Sequence, residues 1–234
     1  MLQCNAIYDL THPMTPQMYH PTGYPKFTIY ETLDGEGCLS SRIDTSLHMG
    51  THMDAPVHVM KDGLSIGEIA PARLVGPALV VDVSPGYGPD CGKNLAISAA
   101  DLQAAVTSTH HSLDAGDMII VNTGWHRLYT SEPRRYYSEF STLSAEAGRW
   151  LAEKGVIFVG VDCCDADEER FYAKPPYAPP NHKQNFLSKG ICICENVGGD
   201  VDKVLGKKLT LIVAPLRIVG PNGNASPIRL LAVE

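Results

Sequence analysis

Within eleven residues, His48-Met-Gly-Thr-His52-Met-Asp54-Ala-Pro56-Val-His58, the chain gathers three histidines and an aspartate. Gly50 and Pro56 argue against a regular helix here, so the segment reads as an extended strand. With a side-chain period of two, His48, His52, Asp54 and His58 project to one face. Met49, Thr51, Met53, Ala55, Val57 and Val59 take the other. The largely apolar face has a reason to be buried, whereas imidazoles and a carboxylate are costly to bury without a partner. A cation is the simplest partner, and mixed nitrogen and oxygen donors suit Zn2+ or Mn2+. Any one of these histidines alone would read as a satisfied structural residue; four ligand types in phase point to a metal.

Other candidates lie further along. Glu195 ends an apolar run on the same side as Ile191 and Ile193, where an unpaired carboxylate would be expensive. His182, beside Asn181 at a helix start, is unremarkable on its own. Asp162 also ends an apolar strand and reads equally as a partner of site residues or as a cap for the next turn. Trp125 is either a pocket wall or a core aromatic. Cys163-Cys164-Asp165 after a strand allows a cysteine-nucleophile amidase, but no base is identifiable for it and buried cysteines are usually inert.

The elements that must position these residues alternate. Gly76 to Val83 is a short β-branched run stopped by Ser84-Pro85-Gly86 and reads as a buried strand. Ser98, with Asp101 three residues on, predicts an N-cap and a helix through about Ser108. Gly116 to Asn122 is a second strand. Leu143 to Lys154 has helical spacing and meets a C-capping Gly155 before a strand over Val156 to Val161. A second helix-then-strand unit follows, Asn181 to Lys189 and then Ile191 to Asn196, with late strands at Leu209 to Ala214 and Pro227 to Val233. Such alternation implies an α/β fold. The Pro/Tyr-rich stretch Met14 to Lys26 predicts a loop at a pocket mouth, with Tyr19, Tyr24 and Phe27 as its aromatics.

Composition narrows the function classes. At 234 residues the chain suffices for one large domain, 1–234, and 44% hydrophobic with 19% charged residues is ordinary for a globular protein. The net charge of -7 comes with scattered Lys and Arg, so no basic stripe for nucleic acid exists. The N-terminal segment Met1 to Leu10 lacks the basic and apolar regions of an export signal, and no apolar run approaches the ~20 residues of a membrane span. Seven cysteines without a Cys-x-x-Cys pair read as reduced thiols. A cytoplasmic location is the expectation.

The segment His48-x-Gly50-Thr51-His52-x-Asp54-x-Pro56-x-His58 resembles the signature of the cyclase family of metal-dependent hydrolases, which includes bacterial kynurenine formamidase and isatin hydrolase. Thr123-Gly124-Trp125, Gly160-Val161-Asp162, His182 with Ile193-x-Glu195-Asn196, Ala214-Pro215-Leu216-Arg217 and Ser226-Pro227-Ile228-Arg229 are similar to further family blocks. The resemblance implies a single compact α/β domain of the swivelling β/β/α type, assembled as a homodimer or homotetramer, with one or two divalent metals per subunit. It also implies that His48, His52 and Asp54 hold the first metal, that Asp54 bridges to a second held by His182 and Glu195, and that His58 is the catalytic acid/base. The chemistry is consistent with those roles, because a divalent metal lowers the pKa of water toward ~7 and an imidazole can collect and return a proton near neutrality.

The implied reaction is hydrolysis of a small-molecule amide, with N-formylkynurenine the first candidate and ring opening of a cyclic amide of the isatin type the second. Glu195 resembles the two-metal formamidase type, while Met18 to Pro25 departs from kynurenine formamidases in lacking their tryptophan. A non-catalytic metal-binding protein is the alternative from another class; it would have no use for His58.

Overall fold

The computed structural model describes residues 5–33, 37–172 and 175–234; the first four residues, part of the segment read above for an export signal, lie outside it. Twelve strands run along the described chain: β1 (Ile7–Asp9), β2 (Thr28–Leu33), β3 (Leu39–Asp44), β4 (His52–Asp54), β5 (Val75–Asp82), β6 (Ala96–Ile97), β7 (Met118–Asn122), β8 (Thr142–Leu143), β9 (Phe158–Val161), β10 (Cys192–Glu195), β11 (Lys208–Pro215) and β12 (Ala225–Val233). The apolar, β-branched runs read from the sequence become β5, β7, β9 and β10, which pair in parallel in that order. Parallel neighbours need crossovers, and two of these are the helices α1 (Ala99–Ser108) and α2 (Ala145–Lys154). Ser98 accepts the Asp101 N–H and Ser144 the Ala147 N–H, so both helices begin at side-chain caps.

β11 and β12 continue the sheet antiparallel beyond β5. The short β4 pairs with β10 on one side and with β12 on the other, which closes seven strands into a barrel, with β1 lying against the last residues of β12. Alternate side chains fill its interior, among them Met53, Val80, Ile120, Phe158, Cys194, Leu211 and Leu230. The opposite phase, with Leu79, Val121, Val159 and Ile193, packs against Leu102 of α1 and Leu151 of α2 in a second apolar layer. This is the α/β architecture that the sequence implied. The hairpin of β2 and β3 had no counterpart in the sequence reading; its exposed Ile29, Leu39 and Ile43 give it no buried face to betray it.

The expected strand over His48 to His58 is corrected. Only His52–Asp54 is strand. Gly50 sits at φ +67, a left-handed turn that an L side chain rarely adopts, and Pro56–His58 is a single 3-10 turn with Pro at its start. Pro56 therefore ends a strand that is paired on both edges. Asn181–Lys189 also departs from a regular helix: Asn181–Phe186 is π-helical and Leu187–Lys189 is 3-10. No helix among the described residues is long and apolar enough to cross a membrane.

Candidate metal centre

The register of the closing strand assembles the centre. In the β4–β10 pairing Glu195 stands opposite His52 and Ile193 opposite Asp54. Facing residues of an antiparallel pair share a face. Met53 points into the barrel, so His52, Asp54 and Glu195 all point outward. His48 arrives from the turn before β4, His58 from the 3-10 turn after it, and His182 from the π-helical segment. All six residues proposed from the sequence thus line one cavity of about 400 Å³, although His48 and His58 reach it by turns and not by strand alternation.

Asp54 is the hub. Its Oδ1 lies 2.9 Å from His48 Nδ1 and 3.6 Å from His52 Nε2, while its Oδ2 lies 3.4 Å from His182 Nε2. Glu195 repeats the pattern, with Oε2 3.4 Å from His52 Nε2 and Oε1 3.5 Å from His182 Nε2. Two donors held at about 2.1 Å by one tetrahedral ion stand about 3.4 Å apart, which is the spacing of four of these contacts. Moreover, His52 Nε2, Asp54 Oδ1 and His48 Nε2 are buried with no hydrogen-bond partner. Orphaned polar atoms in a dry site are costly. Convergent donors set mostly at the spacing of ligands on one ion fit a shared cation, and the groupings His52, Asp54, Glu195 and His48, Asp54, His58 both lie within reach of one.

The far nitrogens of two imidazoles are tied back, which aims the near ones. His52 Nδ1 lies 2.9 Å from the Gly50 carbonyl, a contact that the left-handed turn at Gly50 makes possible. His182 Nδ1 lies 2.8 Å from Asp167 Oδ2, and the same carboxylate accepts the backbone N–H groups of Asn181 and His182. Such outer partners fix the ring tautomer and orientation of metal-binding histidines. Sequence reading missed Asp167, fifteen positions from its histidine, where no local spacing announces the pair. The Asp165-Ala-Asp167 alternation after β9 was the available signal.

Electrostatics follow burial and pairing. Burial disfavours a charged His52, but Glu195 and Asp54 outweigh it and carry the imidazole up to about 9. Burial likewise opposes ionisation of Glu195, and contacts to His182 and His52 nonetheless hold its carboxyl well down. Protons and a divalent cation therefore compete for the same nitrogen lone pairs. His58 opens onto the pocket, yet partial burial desolvates the charged ring and keeps its pKa below the usual histidine value, against the pull of Asp54. Burial and then the Glu195 charge push the Asp165 carboxyl well up.

The remaining candidates fall elsewhere. Asp162 is buried and accepts from Thr123 N–H, the Thr123 hydroxyl and the backbone of His126, with His126 Nδ1 at 2.9 Å; it braces the β7–β9 ends and is not among the metal donors. Trp125 is buried, its indole N–H donating to the Tyr87 carbonyl and Ser141 hydroxyl, so the core reading holds. Cys164 touches the pocket, but burial raises its thiol far above the range of a nucleophile. From the Pro/Tyr-rich loop, Pro21 and Tyr24 reach the pocket mouth as expected, joined by Tyr137 and Tyr172.

Comparison with known proteins places these residues in context. Residues 8–168 match the model of the Cyclase family, a span that holds the His48-to-His58 segment but not His182 or Glu195. The kynurenine formamidase of Sphingopyxis alaskensis is 25% identical over 234 residues, covering 98% of this chain and 99% of that protein. The isatin hydrolase of Roseibium aggregatum is 29% identical over 197 residues, covering 80% and 71%. Isatin hydrolase A from Ralstonia solanacearum superposes with a TM-score of 0.83 at 25% identity, covering 97% of this chain and 91% of that one.

Proposed function

The chain belongs to the Cyclase family, and on that premise we propose that it is a metal-dependent hydrolase that cleaves the carbon–nitrogen bond of an arylformamide with water, releasing formate and an arylamine. The observation that carries this reading is the hub: Asp54 divides its two oxygens between His48 with His52 and His182, beside buried donor atoms that have no other partner. His48, His52 and Asp54 would hold one divalent ion and His182 and Glu195 a second, with Asp54 shared. Zn2+ is the first fit to nitrogen and carboxylate donors, and Mn2+ the second.

Such a pair of ions supplies Lewis acidity, polarising the scissile carbonyl and acidifying the attacking water. The chain's own groups do the rest. Asp167 and the Gly50 carbonyl lock the rings of His182 and His52, so the donors are organised before substrate arrives. His58, neutral near pH 7, takes the proton that water loses on adding to the carbonyl carbon. It returns that proton to the nitrogen as the C–N bond breaks. Tyr24, Tyr137 and Tyr172 wall the cavity and offer flat apolar faces to an aryl group.

Kynurenine formamidase and isatin hydrolase, the named activities of the relatives, give the two substrates to test, N-formylkynurenine and isatin. Turnover of the first, lost on chelation and restored by Zn2+ or Mn2+, supports the reading. Isatin opening alone would move the substrate to a cyclic amide, and turnover of neither with metal bound would refute the arylformamide assignment. The outward apolar residues of the β2–β3 hairpin support a homo-oligomer, which light scattering would size.

A further inference from the structure

Asn196 directly follows the end of β10, is 3% exposed and borders the metal cavity, yet it is neither a metal donor nor a group in the proposed hydrolysis. Its backbone is left-handed, at φ +58, a conformation that asparagine tolerates better than most side chains. All of its polar groups are paired. The backbone N–H donates to the Cys163 carbonyl at 2.9 Å, and the backbone carbonyl accepts the Thr51 hydroxyl at 2.6 Å. In the side chain, Oδ1 accepts the Tyr136 hydroxyl at 2.8 Å and Nδ2 donates to the Gly50 carbonyl at 3.0 Å. A carbonyl only accepts, so the Gly50 oxygen fixes which way round the amide sits.

The Gly50 carbonyl is also the partner of His52 Nδ1, at 2.9 Å. With two lone pairs it serves both donors. Gly50 lies in the left-handed turn before β4, where glycine has the freedom to turn its peptide over. The Asn196 amide and the Thr51 hydroxyl tie that turn to the end of β10 and keep the oxygen facing the imidazole. The consequence is chemical. While Gly50 accepts from Nδ1, a neutral His52 carries its proton there and presents a bare Nε2, 3.6 Å from Asp54 and 3.4 Å from Glu195. With the carbonyl turned away, the same ring gains by moving the proton to Nε2 and donating to either carboxylate, which blocks the nitrogen that a metal needs.

We propose that Asn196 is a positioning residue: through its bond to the Gly50 carbonyl it sets the orientation and tautomer of His52, and so the affinity of the ion that His52 holds. Tyr136, from the short helix Pro133–Ser138, orients the amide. This deepens the metal-centre reading and rests on it. The effect belongs to one ion, because the His182 ring is tied back to Asp167 instead.

The test uses Co2+, whose visible absorption reports ligand geometry and whose uptake is titrated against a competing chelator. Asn196→Gly deletes the amide and suits the left-handed backbone, so the main-chain bonds to Thr51 and Cys163 persist. It is measured alone and combined with His52→Ala. The expected result is one equivalent held roughly ten- to a hundredfold more weakly, with a changed Co2+ spectrum and the other equivalent unaltered. Added to His52→Ala, the substitution should cause no further loss. Wild-type affinity in Asn196→Gly, equal weakening of both equivalents, or a loss that persists in the His52→Ala background would overturn the proposal. Should Asn196→Gly not fold, the isosteric Tyr136→Phe carries the test: a smaller loss from the same equivalent is expected, and unchanged Co2+ binding would overturn the proposal. A wild type that takes up no Co2+ defeats the metal reading together with this one. If binding changes as expected while N-formylkynurenine is not hydrolysed, the hydrolase reading fails and the role of Asn196 stands.

Discussion

Glu195 stands directly opposite His52 in the β4–β10 pairing, with Oε2 3.4 Å from His52 Nε2. The same pairing closes the barrel, since β4 joins β10 to β12. Barrel closure and assembly of the centre are therefore one event, and the strand that completes the sheet also delivers two of its donors, His52 and Asp54. A metal that bridges these strands would bind the folded state and not the unfolded one, adding to stability by mass action. Chelation should accordingly lower the midpoint of thermal unfolding, and excess Zn2+ should restore it; an unchanged midpoint would separate the centre from the fold.

His58 lies in the pocket with ring centroids 4.4 Å from His48 and 6.0 Å from His182. As proton carrier it should be dispensable for metal binding. His58→Ala is expected to keep its metal and lose roughly a hundred- to ten-thousand-fold in kcat. Loss of metal together with activity would make it a ligand instead.

Asp167 acts through His182, not on the substrate. Asp167→Asn keeps the shape but removes the charge that fixes the His182 ring, and metal affinity should fall roughly ten- to a hundred-fold. Competition with a chromophoric chelator measures this, and raising the metal concentration should recover kcat, which a substrate-contacting residue would not show.

The histidine-rich segment was legible because its residue types announce a metal whatever the backbone does. Its geometry was not. Gly50 and Pro56 were read only as evidence against a helix, whereas they bend the chain so that His48 and His58 arrive from turns on either side of a three-residue strand. Apolar runs and caps such as Ser98 and Ser144 sufficed for the α/β layout, since burial and capping are local signals. Closure through β4, and the pairing of Asp167 with His182, depend on contacts between distant segments that no window of sequence contains.

Away from the centre, His12 stacks on Tyr129 with centroids 3.8 Å apart, and its Nε2 is buried without a partner. Burial first, then the nearby His126, lowers its pKa to about 4. The folded state thus keeps His12 neutral where the unfolded chain takes up a proton. Its stability is fully present above about pH 6.5 and is lost as pH falls toward about 4, at up to about 1.4 kcal/mol per pH unit. Denaturant titrations at stepped pH should show a shallower acid slope in His12→Asn; parallel slopes would refute the assignment.

Gly198 makes room for that ring. A Cβ there would lie 2.2 Å from His12 Nε2, so Gly198→Ala should cost about 1–3 kcal/mol or more by overpacking. Most of that cost should vanish in a His12→Ala background, a coupling that a double-mutant cycle reads directly.

The most direct test of the metal centre is elemental mass spectrometry on wild type and Glu195→Ala, purified identically without chelator. About two equivalents per chain falling to about one is the expected result, as for a binuclear site with Glu195 holding the second ion. No bound metal in the wild type would contradict the account at its base, and an unchanged content in the variant would remove Glu195 from the centre.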